Sequence, residues 1–184
     1  FFSNFFCIFF SILEIFRTSL LETITIETPV LPARPVGHFG AYTSLFHQVT
    51  DNTELYFRFF DHTGTIKTDT VYKWSFTGSD TGSLQVDNQG DTLIRLGRPL
   101  GAAATENASL ELIAYNVHDI NDAKNIIFSK SYFNAAGEFG QVHGGGGYVS
   151  DAGSGTFKAT GMRFYQQSGN IASGKFALYG RKLD

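Results

Sequence analysis

Three features of the sequence predict an all-β fold, an antiparallel β-sandwich of jelly-roll type. Beyond Gly37, stretches of strand character follow one another at residues 39–49, 54–61, 70–76, 84–87, 92–97, 108–117, 126–133, 139–149, 157–167 and 175–182, and no segment there asks for a helix longer than a turn or two. Turn-forming residues separate them: Asp51-Asn52, His62-Thr-Gly64, Thr77 to Gly82, Asp87-Asn-Gln-Gly90 and Asn134-Ala-Ala-Gly137. The composition agrees, since 19 Phe and 8 Tyr suit half-buried pleated surfaces and 20 Gly suit frequent reversals. Strands joined by short polar turns pair antiparallel, and two such sheets bury their apolar faces on each other.

The chain of 184 residues has the length of one domain. Residues 1–37 read as an apolar, proline-bearing attachment arm, extended or short-helical, and residues 38–184 as the sandwich domain. Residues 1–13 carry no charge, and Phe1, Phe2, Phe5, Phe6, Phe9 and Phe10 recur as pairs every four positions, which on a helix makes one broad stripe. The apolar run stops at Glu14 and Arg17, short of the ~20 residues a bilayer requires, so no membrane span is expected. No Lys or Arg precedes it, as the start of a secretory signal would require. Apolar surface of this kind marks a contact site, and the six phenylalanines are the candidate assembly residues. Glu22-Thr-Ile-Thr-Ile-Glu27 alternates strictly and reads as a strand, before Pro29, Pro32 and Pro35 impose an extended connector. Such an arm can lend a strand or an apolar face to a neighbouring subunit.

In the body, Leu55, Phe57 and Phe59 alternate with Glu54, Tyr56 and Arg58, the pattern of a strand with one buried face. Leu110, Leu112 and Ala114 alternate with Glu111, Ile113 and Tyr115, so this strand is apolar on both faces and belongs in the middle of a sheet. From Gly161 to the end the chain reads as a β-hairpin. Met162, Phe164 and Gln166 share one face, Arg163, Tyr165 and Gln167 the other, and Ser168, Gly169, Asn170, Ser173 and Gly174 supply the reversal.

Ser168-Gly-Asn-Ile-Ala-Ser-Gly-Lys-Phe-Ala-Leu-Tyr-Gly180 resembles the closing signature of small β-rich virion surface proteins and domains of tailed bacteriophages. Thr50 to Phe59 is similar to an early strand of those domains, and Tyr72-Lys-Trp-Ser75 to an element that follows it. The resemblance spans roughly residues 41–183. It implies a non-enzymatic structural component of the virion, a capsid decoration or head-surface protein or a tail-associated one, assembled in the host cytoplasm with other virion proteins and as a homo-oligomer. A host-recognition module of a tail fibre, binding a surface glycan, is the alternative, and a fragment of a polysaccharide depolymerase the third reading. The resemblance carries over no catalytic residue.

The residues themselves narrow the chemistry. A net charge of −3 gives no basic footprint for nucleic acid. The lone Cys7 forms no intramolecular disulfide and no cysteine-based metal cluster. His143-Gly-Gly-Gly-Gly-Tyr148 lacks the Lys-Ser/Thr and the following helix of a phosphate loop, so no nucleotide or other cofactor is expected; a glycine run in a strand instead marks a bend or the close approach of another backbone. His38, His47, His62, His118 and His143 show no spacing that sets two imidazoles on one face, and no metal site is assigned. His118-Asp-Ile-Asn-Asp122 with Asn125 gathers oxygen ligands suited to Ca²⁺ but lacks the EF-hand spacing and reads as a polar loop. No serine sits in a nucleophile-elbow frame, and Glu106, Glu111 and Glu138 are the glutamates that a glycosidase reading would pair with aspartates. No catalytic residue is assigned. Among the aromatics, Trp74 and Tyr148 are the candidate glycan contacts, because a ring face packs against sugar C–H groups.

Overall fold

The computed structural model of the protein describes residues 8–15, 23–27, 36–79, 82–117, 119–149 and 157–182. Its strands are β1 (Ile8–Ile15), β2 (Thr23–Glu27), β3 (Val36–Gln48), β4 (Leu55–Phe60), β5 (Tyr72–Ser79), β6 (Ser83–Asp91), β7 (Ile94–Arg95), β8 (Ala108–Tyr115), β9 (Lys124–Phe133), β10 (Phe139–Tyr148), β11 (Gly161–Gln166) and β12 (Ile171–Lys182). They form two sheets, one ordered β1-β12-β3-β8-β9-β10-β5-β6 and the other β2-β11-β4-β7. Every pairing is antiparallel. The described residues hold no helix, and the expected all-β sandwich is what the chain forms.

The core lies between the sheets and follows the alternation of each strand. Leu55, Phe57 and Phe59 of β4 with Met162 and Phe164 of β11 meet Tyr72, Trp74 and Phe76 of β5, Leu110, Leu112 and Ala114 of β8, and Phe176 of β12. β8 sits between β3 and β9, the central position its two apolar faces predict. Edge-to-face ring pairs fill the interior, among them Phe57 with Phe59 at 4.8 Å and Tyr72 with Tyr148 at 5.1 Å. The buried Tyr72 hydroxyl accepts a hydrogen bond from the Phe59 amide at 3.0 Å, so a polar atom inside the sandwich joins the two sheets.

One expectation is overturned by the topology. Residues 161–182 are not a hairpin: β11 pairs with β2 and β4 in the small sheet, and β12 pairs with β1 and β3 in the large one. The four residues 167–170 carry the chain across the sandwich as an arch. Gly169 has φ +70°, so the glycine serves a reversal as expected, but the reversal joins two layers. Phe164 and Phe176 then face each other from opposite sheets, with ring centroids 5.9 Å apart. Gln167 N–H donates to Glu54 O and Val49 N–H to Asn170 O, both at 2.9 Å, which ties the arch to segments flanking β4 and β3.

Two further boundaries moved. Asp87-Asn-Gln-Gly90, expected as a turn, lies within β6, where the register with β5 shifts between Tyr72 and Trp74. The Asn88 side chain accepts from the Gly90 amide at 3.0 Å, so the turn chemistry makes a bulge. The strand expected over 92–97 shortens to Ile94–Arg95. In the N-terminal part, the strand read at 22–27 is β2, and β1 adds a strand beside β12 that carries Phe9 and Phe10. Phe1, Phe2, Phe5 and Phe6 lie outside the described residues.

Candidate functional site

The glycine run organises the outer face of the large sheet. Gly144 to Gly147 lie in β10, paired on one side with β5 and on the other with β9. Gly144 and Gly146 face the core. A Cβ on Gly144 would stand 2.5 Å from Phe76 Cβ and 2.7 Å from Phe128 Cζ, and one on Gly146 would stand 2.9 Å from Trp74 Cβ and 3.1 Å from Ile94 Cδ1. Gly145 and Gly147 face outward, where a Cβ would meet Ile126 O at 2.9 Å and Lys124 O at 2.7 Å. The close backbone approach expected of the run is therefore present on both faces.

The outward glycines leave a depression of ≈ 360 Å³ whose walls include Lys73, Ser75, Gln89, Asn125 and Val149. Sheet register sets the walls. Lys73, Gly147 and Asn125 form one rung, and Ser75, Gly145 and Ile127 the next. Ser75, Gln89 and Asn125 are exposed, and Ile127 is 50% exposed, so the wall groups are open to solvent. The Asn125 amide reaches over its rung, with Oδ1 2.8 Å from where a Gly147 Cβ would stand. Further along the face, Thr77, His143 and Ser129 form a third rung, and Ser79, Gln141 and Ser131 a fourth.

Of the two aromatics singled out from the sequence, Trp74 borders the depression and Tyr148 does not, and neither offers it an open ring face. Trp74 and Tyr148 are only 4% and 5% exposed, so the ring faces a sugar platform needs are covered, and both are core residues. Trp74 stacks on Phe76 at 5.7 Å, donates its indole N–H to Asp91 at 3.1 Å, and has the Arg95 guanidinium 5.3 Å from its ring. The Tyr148 hydroxyl donates to Asp69 at 2.5 Å, and its ring meets Phe157 edge-on at 4.9 Å. Burial, then that bond to a carboxylate, pushes the Tyr148 phenol far above its usual range, while the same bond holds Asp69 below the usual carboxylate range. A strand alternates whichever layer covers it, so the sequence could not tell these rings from exposed ones.

In the loop read as a Ca²⁺ candidate, the Lys124 ammonium donates to the carbonyls of Asp119 and Asp122, the latter at 2.6 Å. The chain's own cation thus takes two backbone oxygens of the loop. Burial lowers the Lys124 pKa, partly offset by Asp119 and Asp122. Glu106 closes the 101–106 loop by accepting from the Ala103 amide at 2.8 Å, Glu111 is on the outer face of β8, and Glu138 accepts from Asn134 at 3.0 Å in the β9–β10 turn. Among the described residues no group of three or more His, Cys, Asp or Glu side chains is placed to hold a metal ion. His118 lies outside them.

The small sheet carries a second polar cluster. Arg58 and Arg163 are opposite each other across β4 and β11, with guanidinium carbons 5.1 Å and 4.9 Å from the Tyr165 ring. Arg58 donates to Thr92 O at 2.8 Å, and Arg95 pairs with the buried Glu54. Burial, then the nearby Glu54 carboxylate, pushes the Tyr56 phenol up to about 12.

No family model matches the chain, and neither a curated protein nor a solved structure matches it.

Proposed function

We propose that the protein is a non-enzymatic structural component of a tailed-phage virion, a capsid decoration or tail-associated protein that assembles through its N-terminal segment and its strand edges. The observation that carries this reading is the placement of β1. Ile-Phe-Phe-Ser-Ile-Leu-Glu-Ile runs along one edge of the large sheet, paired with β12 on one side and, among the described residues, with no strand on the other. A long apolar edge strand without Lys or Pro is a template for pairing with another chain. The resemblance of Ser168–Gly180 to virion surface proteins supports the same reading, and this segment forms the arch and the strand β12 against which β1 lies.

Contacts of this kind gain strength by repetition, since a symmetric particle converts modest interfaces into lasting attachment. Quantitative mass spectrometry of purified virions tests the proposal. A copy number near that of the major shell protein supports decoration, a few copies per particle support a tail position, and absence from the particle refutes the reading. A chain lacking residues 1–21 should remain folded and fail to incorporate; normal incorporation would remove the arm from the mechanism.

A further inference from the structure

We infer that the glycine-floored depression on the outer face of the large sheet is a binding site for a neutral saccharide. This inference stands apart from the assembly reading, because β5, β9 and β10 lie away from β1 in the sheet.

The argument begins with the chemistry of the face. Over the four rungs of β5, β10 and β9, the outward residues are Lys73, Gly147 and Asn125, then Ser75, Gly145 and Ile127, then Thr77, His143 and Ser129, then Ser79, Gln141 and Ser131. Hydroxyls, amides and glycines dominate these three strands, where Lys73 is the one permanently charged side chain; Asp87 on β6 extends the Ser75 rung and Glu111 on β8 the Ser129 rung. A solvated sheet face that needs only solubility is usually rich in charged side chains of both signs. The middle of this face instead presents mainly uncharged groups that both donate and accept hydrogen bonds, the counterpart of a polyol, with the carboxylates of Asp87 and Glu111 on the flanking strands.

Shape supports the same ligand class. The two outward glycines remove side chains from adjacent rungs: Gly147 is buried with the Asn125 amide over it, and the partly exposed Gly145 leaves a peptide plane on which a flat molecule can rest. The volume of ≈ 360 Å³ is at the small end of ligand sites and suits one or two sugar rings. Val149 offers apolar contact to ring C–H groups, while Ser75, Gln89 and Asn125 stand around the floor to meet hydroxyls. Nucleic acid and anionic polymers find no basic cluster here, and an extended peptide would have to bind in mid-sheet, where the β10 backbone is already paired on both sides.

Nitrogen-15 NMR of the full chain, titrated with methyl glycosides of glucose, galactose, mannose, rhamnose and N-acetylglucosamine, tests the assignment. At least one glycoside should produce saturable shifts at the Gly145 and Gly147 amides and at the Asn125 side-chain amide, with a dissociation constant on the order of 1 mM. N125A and Q89A, both exposed changes, should each weaken that binding about tenfold without altering the spectrum elsewhere. No saturable shift with any glycoside, shifts centred on another face, or saturation by a neutral Gly-Ser peptide in place of the sugars would each overturn the inference.

Discussion

On the inner face of β10, Gly144 and Gly146 let the Cβ atoms of Phe76 and Trp74 press against bare backbone, and that space is filled by rings. On the outer face, Gly145 and Gly147 also sit close to a neighbouring strand; Gly147 is buried with Asn125 Oδ1 over it, while Gly145 stays partly exposed in a depression ringed by Ser75, Gln89 and Asn125. The same residue in the same strand thus closes a core on one side and clears a floor on the other. The difference comes from what the opposite layer supplies. The small sheet brings Ile94 and the β4 aromatics to the inner side, and no described layer covers the outer one.

That contrast predicts a steep ranking of substitutions. Phe57→Ala, which empties a fully buried site between ring neighbours at 4.8 and 5.5 Å, should cost about 4 kcal/mol in chemical denaturation. Gly144→Ala adds a single methyl against Phe76 and Phe128 and should cost about 3 kcal/mol; a loss below 1 kcal/mol would mean that the inner face is not tightly packed. Lys124→Met removes the ammonium that ties the Asp119 and Asp122 carbonyls and should cost about 1 kcal/mol, read as a lower Tm. By contrast, Asn125→Ala on the outer face should change stability by no more than about 0.5 kcal/mol, and a larger loss would show that the face is structural.

Titration sharpens the comparison further. Burial first, and neighbouring carboxylates second, raise the phenol of Tyr56 to about 12 and that of Tyr148 higher. Tyr72, nearly all of it inside, is raised by burial above all. A raised folded-state pKa means that the neutral phenol is favoured in the fold. The contribution is complete below pH ~10 and is lost as pH rises from there through about 12. Tyrosinate absorbance should therefore show these rings ionising together with unfolding, after the exposed tyrosines; early and independent ionisation would contradict their burial. At the acid end, Asp69 is held low mainly by the Tyr148 hydroxyl. Its smaller, surface-exposed contribution is present above pH ~4 and fades as pH falls further. Y148F should flatten that limb of the stability curve.

Much of this was legible along the chain because it is local. The alternation of Leu55, Phe57 and Phe59 against Glu54, Tyr56 and Arg58 predicted one buried face, and the burial of β4 follows it from Leu55 to Phe60, while Glu54 is buried against Arg95. The doubly apolar pattern from Leu110 to Tyr115 predicted a central strand, and β8 is one. The glycine run was readable as a place of close approach. Its outer floor was not, because the wall residues Lys73, Ser75, Gln89, Asn125 and Val149 come from four segments that only sheet pairing assembles. Lys124 and Lys130 were missed as interior residues, since a lysine in a strand reads as exposed. Here each stem lies inside while its ammonium finds backbone carbonyls, Lys130 donating to Arg98 O at 2.9 Å.

The sequence by itself determined most of the strands, the alternation along them and the chemistry of the reversals, since these depend on side-chain spacing and on residues that tolerate a positive φ. Tertiary structure alone decided which strands are neighbours. Gln167 to Asn170 can turn a chain within a sheet or across two, and the turn residues are the same in both. β2 and β4 claim β11 while β1 and β3 claim β12, which makes the link an arch. The same long-range choice buried Trp74 and Tyr148, the rings that had looked available, and left the glycine floor open. Which face of a strand meets a second layer is settled by partners distant in sequence, and local pattern carries no record of them.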